Sequence, residues 1–219
     1  MYEKLPFESL KDFAPIAKVV DAVNVLVLHP SAPASSVEQL IAAARLKPLL
    51  GGSGGVGSPG HLALELFNMM AGVKITHVPY KGSAPALVDV IAGNIQVIFS
   101  TLTPALPHIK SGRIKALAVT SLKRSELVPE LPTVAEAGLK GFEVTGWYGV
   151  LAPAQTPRTL IDRLNSEIVK ALQSPDVKQN LLAQGFEINP SSPQAFSAFI
   201  RMELAKWAKV VKFSGAKPN

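Results

Sequence analysis

Between Leu50 and Leu62 the chain runs Leu50-Gly51-Gly52-Ser53-Gly54-Gly55-Val56-Gly57-Ser58-Pro59-Gly60-His61-Leu62. Bare backbone here joins a hydrophobic stretch to an amphipathic helical pattern. Glycine lets a main chain approach a ligand closely and adopt positive φ, and the free N–H groups of a following helix attract anions. The chemistry this supports is anion capture through hydrogen bonds, with no bond made or broken.

Two further segments repeat the arrangement of strand, small polar loop and helix: Pro79-Tyr80-Lys81-Gly82-Ser83 and Ser100-Thr101-Leu102-Thr103-Pro104. If the preceding strands are parallel neighbours in one sheet, the three loops meet at its carboxyl edge, where open α/β sheets bind ligands. Helix N-termini would then supply N–H groups and partial positive charge, Ser53, Ser58, Ser83, Thr101 and Thr103 hydroxyl donors, and Lys81 a full charge. Such a cluster suits a carboxylate. Taken singly, each loop also reads as ordinary caps and turn formers.

Other motif readings lack their parts. Gly52 to Gly57 matches G-x-G-x-x-G in form, but Ser58-Pro59-Gly60 delays the helix and the next strand ends Thr76-His77-Val78 without the acid a dinucleotide site needs. No Lys-Ser or Lys-Thr follows for a phosphate loop. Gly51 to Gly55 matches G-x-S-x-G, yet three glycines after Ser53 could not hold a nucleophile rigid, and the required Asp and later His could come only from Asp89 and His108. The histidines His29, His61, His77 and His108 show no metal-ligand spacing. His61, in the first turn after the glycine loop, either touches ligand or braces the loop; His77 reads as a satisfied buried group. No nucleophile, base and orienting group come within reach of one another, so the expectation is no enzyme, no metal and no cofactor.

Composition sets the same limits. The chain has 219 residues, 22 basic against 16 acidic for a net charge of +6, with charged residues only 17% of the total. That surface is sparsely charged, and without a basic stripe it excludes a nucleic-acid partner. No cysteine is present, which rules out thiol catalysis and leaves the redox compartment open. No run approaches the ~18 apolar residues of a membrane span, so direct membrane insertion is not expected. Met1-Tyr2-Glu3-Lys4-Leu5-Pro6 lacks an apolar leader core; as written, the chain would remain cytoplasmic.

The elements that must position the loops read as α/β. Strands are expected at Ile16 to Val20, Asn24 to His29, Lys74 to Val78, Gln96 to Phe99, Lys115 to Thr120 and Val144 to Leu151. Capping boxes are expected at Ser35 to Glu38 and Thr133 to Glu136. Thr156-Pro157, Ser174-Pro175 and Ser192-Pro193 each place a capping hydroxyl before a proline in the first turn. Gly72, Gly93, Gly112 and Gly138 stand where helices should end. From Thr156 onward the pattern turns to three helices, the last with Ala198, Phe199, Met202, Leu204, Ala205, Trp207 and Val210 as its packing positions.

Six blocks in order carry a resemblance: Leu50 to Leu62, Ile75 to Gly82, Leu106 to Ile109, Leu117 to Ser121, Pro132 to Gly138 and Gly146 to Ala154. Together they resemble the substrate-binding proteins of tripartite tricarboxylate transporters (TctC or Bug type) across essentially the whole chain. The resemblance implies an α/β fold of periplasmic binding protein type II, two lobes around a cleft, with the first lobe incomplete. Residues 1–29 and 146–219 would be the remnant of that lobe with its C-terminal helices, and residues 30–145 the second lobe. It implies a periplasmic, non-enzymatic protein that captures a small organic acid, a di- or tricarboxylate or related, for the membrane subunits of a tripartite transporter. A truncated lobe acting only with a partner, or vestigial, is the alternative. Ser53, Gly54, Gly57, Ser58 and His61 would line one side of the site, with Tyr80, Lys81, Gly82, Ser100 and Thr101 beside them. In many relatives an Asp stands where this chain has Ser100, which favours a non-amino acid ligand here. Another two-lobed class, the effector domains of transcription regulators, would need a helix-turn-helix, and none precedes Phe13.

Overall fold

The computed structural model describes residues 5–217; Met1 to Lys4, read above as part of a segment without a leader core, lie outside that span. In chain order the elements are β1 (Phe13–Leu28), α1 (Val37–Leu46), β2 (Leu49–Ser53), α2 (Pro59–Ala71), β3 (Ile75–Pro79), α3 (Ser83–Ala92), β4 (Val97–Thr101), α4 (Leu102–Lys110), β5 (Lys115–Val119), β6 (Thr145–Pro153), α5 (Arg158–Leu172), α6 (Pro175–Ala183), β7 (Phe186–Ile188) and α7 (Pro193–Ser214). Contacts divide them into two units. One holds the described residues up to Ala22 with Gly146–Lys209, the other Val23–Thr145 with the described residues from Val210 on. Among the described residues no helix is long and apolar enough to cross a membrane.

The two strands expected at Ile16 to Val20 and Asn24 to His29 are one, the 16-residue β1. Its second half belongs to the unit of Val23–Thr145, whose sheet has the order β3-β2-β4-β1-β5. β2 pairs parallel with β3, Gly52 opposite Val78, and parallel with β4, Gly51 opposite Val97. β1 runs antiparallel to β4 and to β5. Alternation along β1 sorts the core in two. Val23, Val25 and Val27 face Ala86, Leu87 and Val90 of α3 and Leu102 and Ala105 of α4. On the other face Leu26 stands opposite Phe99, whose ring meets Phe67 of α2 at 5.8 Å and Phe142 at 6.1 Å. Burying each of these phenylalanine rings contributes about 2–3 kcal/mol.

β2, expected only as an apolar stretch ahead of the glycine loop, extends through Gly51 and Gly52, which carry no strand signal. Packing explains them. A Cβ on Gly51 would lie 3.0 Å from Ile75 and Leu64 methyls, and one on Gly52 would collide with Ile95. β2 is thin because elements press on both its faces.

In the other unit, β6 and β7 pair with β1, Asp21 opposite Glu187. Trp147 packs edge-on against Phe196 and Phe199 of α7, both at 5.5 Å, whereas Tyr148 is exposed. The buried positions of α7 in this unit are Pro193, Phe196, Ile200 and Glu203. Met202 and Leu204, expected to pack, are 63% and 51% exposed. The helix turns its Phe196–Ile200–Glu203–Trp207 stripe inward, and Glu203 is held there by the Trp207 indole N–H at 2.8 Å and by Lys206.

Caps follow the same mixture. Ser36, not Ser35, caps α1: its Oγ accepts from Gln39 N–H at 3.2 Å, and Gln39 reaches back to Ser35 N–H at 2.7 Å. Thr133 and Glu136 form their reciprocal box at 3.0 Å each, but it closes a turn instead of opening a helix. Pro157, not Thr156, is the N-cap of α5, without a side-chain bond. Ser174 caps α6 in position only, whereas Ser192 Oγ accepts from Ala195 N–H at 3.2 Å.

Candidate carboxylate site at the edge of a parallel sheet

Because β2, β3 and β4 are parallel neighbours in the order β3-β2-β4, the chain leaves all three at one edge of the sheet. At that edge β4 meets the antiparallel β1, so the strand direction switches there. The loops touch. Tyr80 N–H donates to the Ser53 carbonyl at 3.0 Å and Gly82 N–H to the Gly54 carbonyl at 3.2 Å. A Cβ on Gly54 would stand 3.1 Å from the Ser83 nitrogen, and one on Gly60 would collide with the Phe99 carbonyl oxygen. Approach of backbone to backbone therefore requires glycine at Gly60 and leaves a side chain at Gly54 crowded.

The third loop is not a loop. Thr101 ends β4 and is at once the N-cap of α4, so strand passes directly into helix and Leu102 is buried.

Three helix N-termini, those of α2, α3 and α4, open at this edge, and none carries an acidic residue in its first turn. α1 and α6, elsewhere in the chain, do carry one, Glu38 and Asp176. α3 begins after Gly82 and α4 after Thr101, neither with a side-chain cap. Their first N–H groups and the positive ends of their dipoles are thus left without an internal anion. Lys81, exposed beside Gly82, adds a full charge of the same sign.

Several candidate side chains are spent on holding this backbone. Ser53 is fully buried; its Oγ lies 2.6 Å from His77 Nε2, accepts from Gly55 N–H and donates to the Gly55 carbonyl, both at 3.1 Å. Ser58 caps α2 by accepting from His61 N–H at 3.3 Å, which leaves its own hydroxyl proton to offer. His61 is 3% exposed and its Nδ1 accepts from Gly57 N–H at 3.0 Å, a bond that braces the loop. Burial lowers its pKa. Ser100 is fully buried and donates to the Thr101 carbonyl at 3.1 Å. Tyr80 turns its hydroxyl away, donating to Asp89 Oδ2 at 2.7 Å. Burial first, then that bond and the Asp89 charge, push its pKa up to about 12. Hydrogen bonds from the Tyr80 hydroxyl and the Asn94 side-chain amide hold the Asp89 carboxyl below its usual range.

The polar groups at this edge not spent in this way are mostly main chain, at Gly54, Ser83 and the start of α4, with the Ser58 hydroxyl proton and Lys81. Sequence reasoning missed one residue at this edge. Asn24 of β1 stands opposite Thr101, is 2% exposed, and its Nδ2 has no hydrogen-bond partner. A polar residue amid Val23, Val25 and Leu26 was the available signal. Among the described residues no three His, Cys, Asp or Glu side chains could hold a metal ion. A groove of about 510 Å³ in the other unit, between Ala14, Ile161, Arg158 and Arg201, contains none of the loop residues, and Arg158 is already paired with Asp162 at 3.0 Å.

Comparison with known proteins points the same way. The family model of the tripartite tricarboxylate transporter family receptor matches residues 1–215. Protein BugT of Bordetella pertussis (strain Tohama I) is 37% identical over 97% of this chain and 66% of its own length. Among solved structures, R. palustris Rpa4515 with adipate is 38% identical, with a TM-score of 0.81 over 100% of this chain and 74% of that one. MatC of Rhodopseudomonas palustris with bound malate is 27% identical, with a TM-score of 0.76 over 96% and 73%. The fold is that of TctC and Bug periplasmic binding proteins. The chain spans slightly less than two thirds of the length of the curated relatives it matches first.

Proposed function

The chain belongs to the tripartite tricarboxylate transporter receptor family, and from that premise we propose that it captures a small organic dicarboxylate or related acid. The ligand is held by main-chain N–H groups and a few hydroxyls, without bond chemistry. One observation carries this reading: three helix N-termini free of acidic residues open at one edge of a parallel sheet, two of them without a side-chain cap. Relatives solved with adipate and with malate support the ligand class. The family is one of transport receptors, not of enzymes.

In this reading Ser53, Gly54, Gly57, Ser58, His61, Tyr80, Lys81, Gly82, Ser100 and Thr101 form the site in two ranks. Backbone at Gly54, Ser83 and the α4 start, with Ser58 and Lys81, meets the ligand, while Gly82 N–H stays bound to the Gly54 carbonyl and ties the two loops together. Ser53, His61, Tyr80 and Ser100 fix that backbone. The loaded protein would act in the periplasm and deliver its ligand to the membrane subunits of a tripartite transporter. In this reading residues 30–145 belong to the second lobe and residues 1–29 with 146–219 to the first, close to the division by contacts, which falls after Ala22 and after Lys209.

A second reading has support in that portion. None of the nine residues of β6 and none of α6 is buried, and Leu160 and Leu164 of α5 are 45% and 37% exposed. Apolar faces left open in this way call for more polypeptide, so binding would need a partner segment.

Thermal unfolding of the purified chain against adipate, malate and citrate, with oligomeric state measured in parallel, separates the two. A monomer whose midpoint rises with ligand supports independent binding. An aggregated chain without response supports the second reading, and a well-folded chain indifferent to every acid overturns carboxylate capture.

A further inference from the structure

Of the buried side-chain nitrogens and oxygens described, two have no hydrogen-bond partner: Nδ2 of Asn24 and Nδ1 of His108. His108 sits in the last turn of α4, at the end of that helix away from the loops. Asn24 is at the loops. Its Cα partner across the antiparallel pair is Thr101, the residue that caps α4 without a side-chain bond.

The pleat fixes which way Asn24 faces. Val23, Val25 and Val27 pack in the cluster with α3 and α4, so Asn24 and Leu26 belong to the opposite face. There Leu26 stands across from Phe99, whose carbonyl oxygen abuts Gly60 in the first turn of α2. One step further along β4 toward the open edge, the same face carries Asn24. Its amide therefore lies between the start of α4 and the start of α2. The backbone beneath it is anchored, since the Asn24 carbonyl accepts from both the N–H and the hydroxyl of Thr120, at 2.9 and 3.1 Å.

A buried donor without an acceptor costs stability, and an apolar side chain of the same size would avoid the cost. An acceptor arriving from outside removes it. We propose that Asn24 is a specificity-determining contact of the carboxylate site, its side-chain N–H donating to a carboxylate oxygen held at the N-terminus of α4. This rests on the reading of the site as a carboxylate receptor and adds to it the one buried side-chain donor that selects the ligand.

The test is calorimetric titration of adipate and malate into wild type, Asn24→Leu and Asn24→Asp, with the unfolding midpoint of each ligand-free protein. Asn24→Leu is expected to unfold at the same or a higher temperature than wild type and to bind at least about tenfold more weakly, the loss that goes with one hydrogen bond to a charged group. Asn24→Asp, which replaces the donor with a like charge, is expected to lose more. Wild-type affinity in either variant, or a lowered midpoint in Asn24→Leu with affinity kept, overturns the proposal and makes Asn24 a structural residue. A wild type that binds neither acid overturns the carboxylate reading, and the proposal with it.

Discussion

His61 and His77 stack ring on ring, their centroids 3.9 Å apart and their planes 25° from parallel, and the bond at His61 Nδ1 requires that ring to be neutral. Gly57 N–H donates to His61 Nδ1, so that nitrogen carries no proton. The single Ser53 hydroxyl proton goes to the Gly55 carbonyl, which leaves Ser53 Oγ to accept from Gly55 N–H and from His77 Nε2–H. The two imidazoles thus hold the glycine loop at Ser53 and at Gly57. A proton added to His61 Nδ1 would set two N–H groups against each other.

Acid should therefore loosen this protein. Burial, and then the charge of His61, lower the His77 pKa from its usual 6.5 to about 4, and burial lowers that of His61. Unfolded chains take up these protons near pH 6.5 and the folded chain does not. The stability held by the neutral pair is complete above that pH and is lost as pH falls toward 4. Glu65, 3.7 Å from His61 Nε2 and raised by burial, binds its proton more readily when folded and offsets part of the loss at the acid end. The expected result is a fall of about 2 kcal/mol in stability between pH 7 and 5, less in His77→Gln, which keeps the donor to Ser53. Unfolding midpoints across that range check it, and a flat profile in wild type contradicts the assignment.

Two serines that precede prolines at helix starts should behave differently. Ser58 Oγ accepts from His61 N–H, and Ser58→Ala should cost about 1 kcal/mol. Ser174 makes no side-chain cap bond, and Ser174→Ala should stay within about 0.5 kcal/mol of wild type. Chemical denaturation of both variants decides, and equal losses would contradict the capping difference.

That contrast shows what the sequence could reveal. Parallel strands feeding three helices were legible in apolar runs followed by small polar residues, and their convergence follows once β2 is found between β3 and β4. β2 itself was not legible, because Gly51 and Gly52 are chosen by the side chains of Leu64, Ile75 and Ile95 pressing on the strand, and those neighbours are distant in sequence. At the site, residue types picked out polar segments, two of which are loops, while the third passes directly from β4 into α4. They could not say which hydroxyls face ligand: Ser53 and Tyr80 are committed by His77 and Asp89, partners fixed only by the fold. Asn24 was hidden for the same reason, its lack of a partner being a property of its surroundings.

Tyr80 offers a direct check on the division between residues that meet ligand and residues that brace. Its hydroxyl donates to Asp89 at 2.7 Å, so Tyr80→Phe should cost about 1 kcal/mol of stability and leave adipate affinity within about twofold, a change below ~0.5 kcal/mol. Spectrophotometric titration of wild type should show one tyrosine ionising near pH 12, well above the usual 10, and that step should vanish in Tyr80→Phe. A loss of adipate affinity far larger than the loss of stability would move Tyr80 into contact with the ligand.

Gly57 tests the loop itself. Its φ is +80°, a conformation that costs an L-residue about 1–2 kcal/mol and a β-branched one more. Its N–H is the donor that ties the loop to His61. In Gly57→Val the backbone can relieve the strain only by rotating away from that conformation, which breaks the bond to Nδ1 and displaces Gly54 and Gly55 from the start of α3. The unit's core, built on β1, β4, α3 and α4, does not pass through Gly57, so the fold should persist with a lowered midpoint while adipate binding falls below detection in calorimetry. Gly57→Ala should lie between the two. Wild-type affinity in Gly57→Val would remove the glycine loop from the site and leave carboxylate capture to α3 and α4 alone.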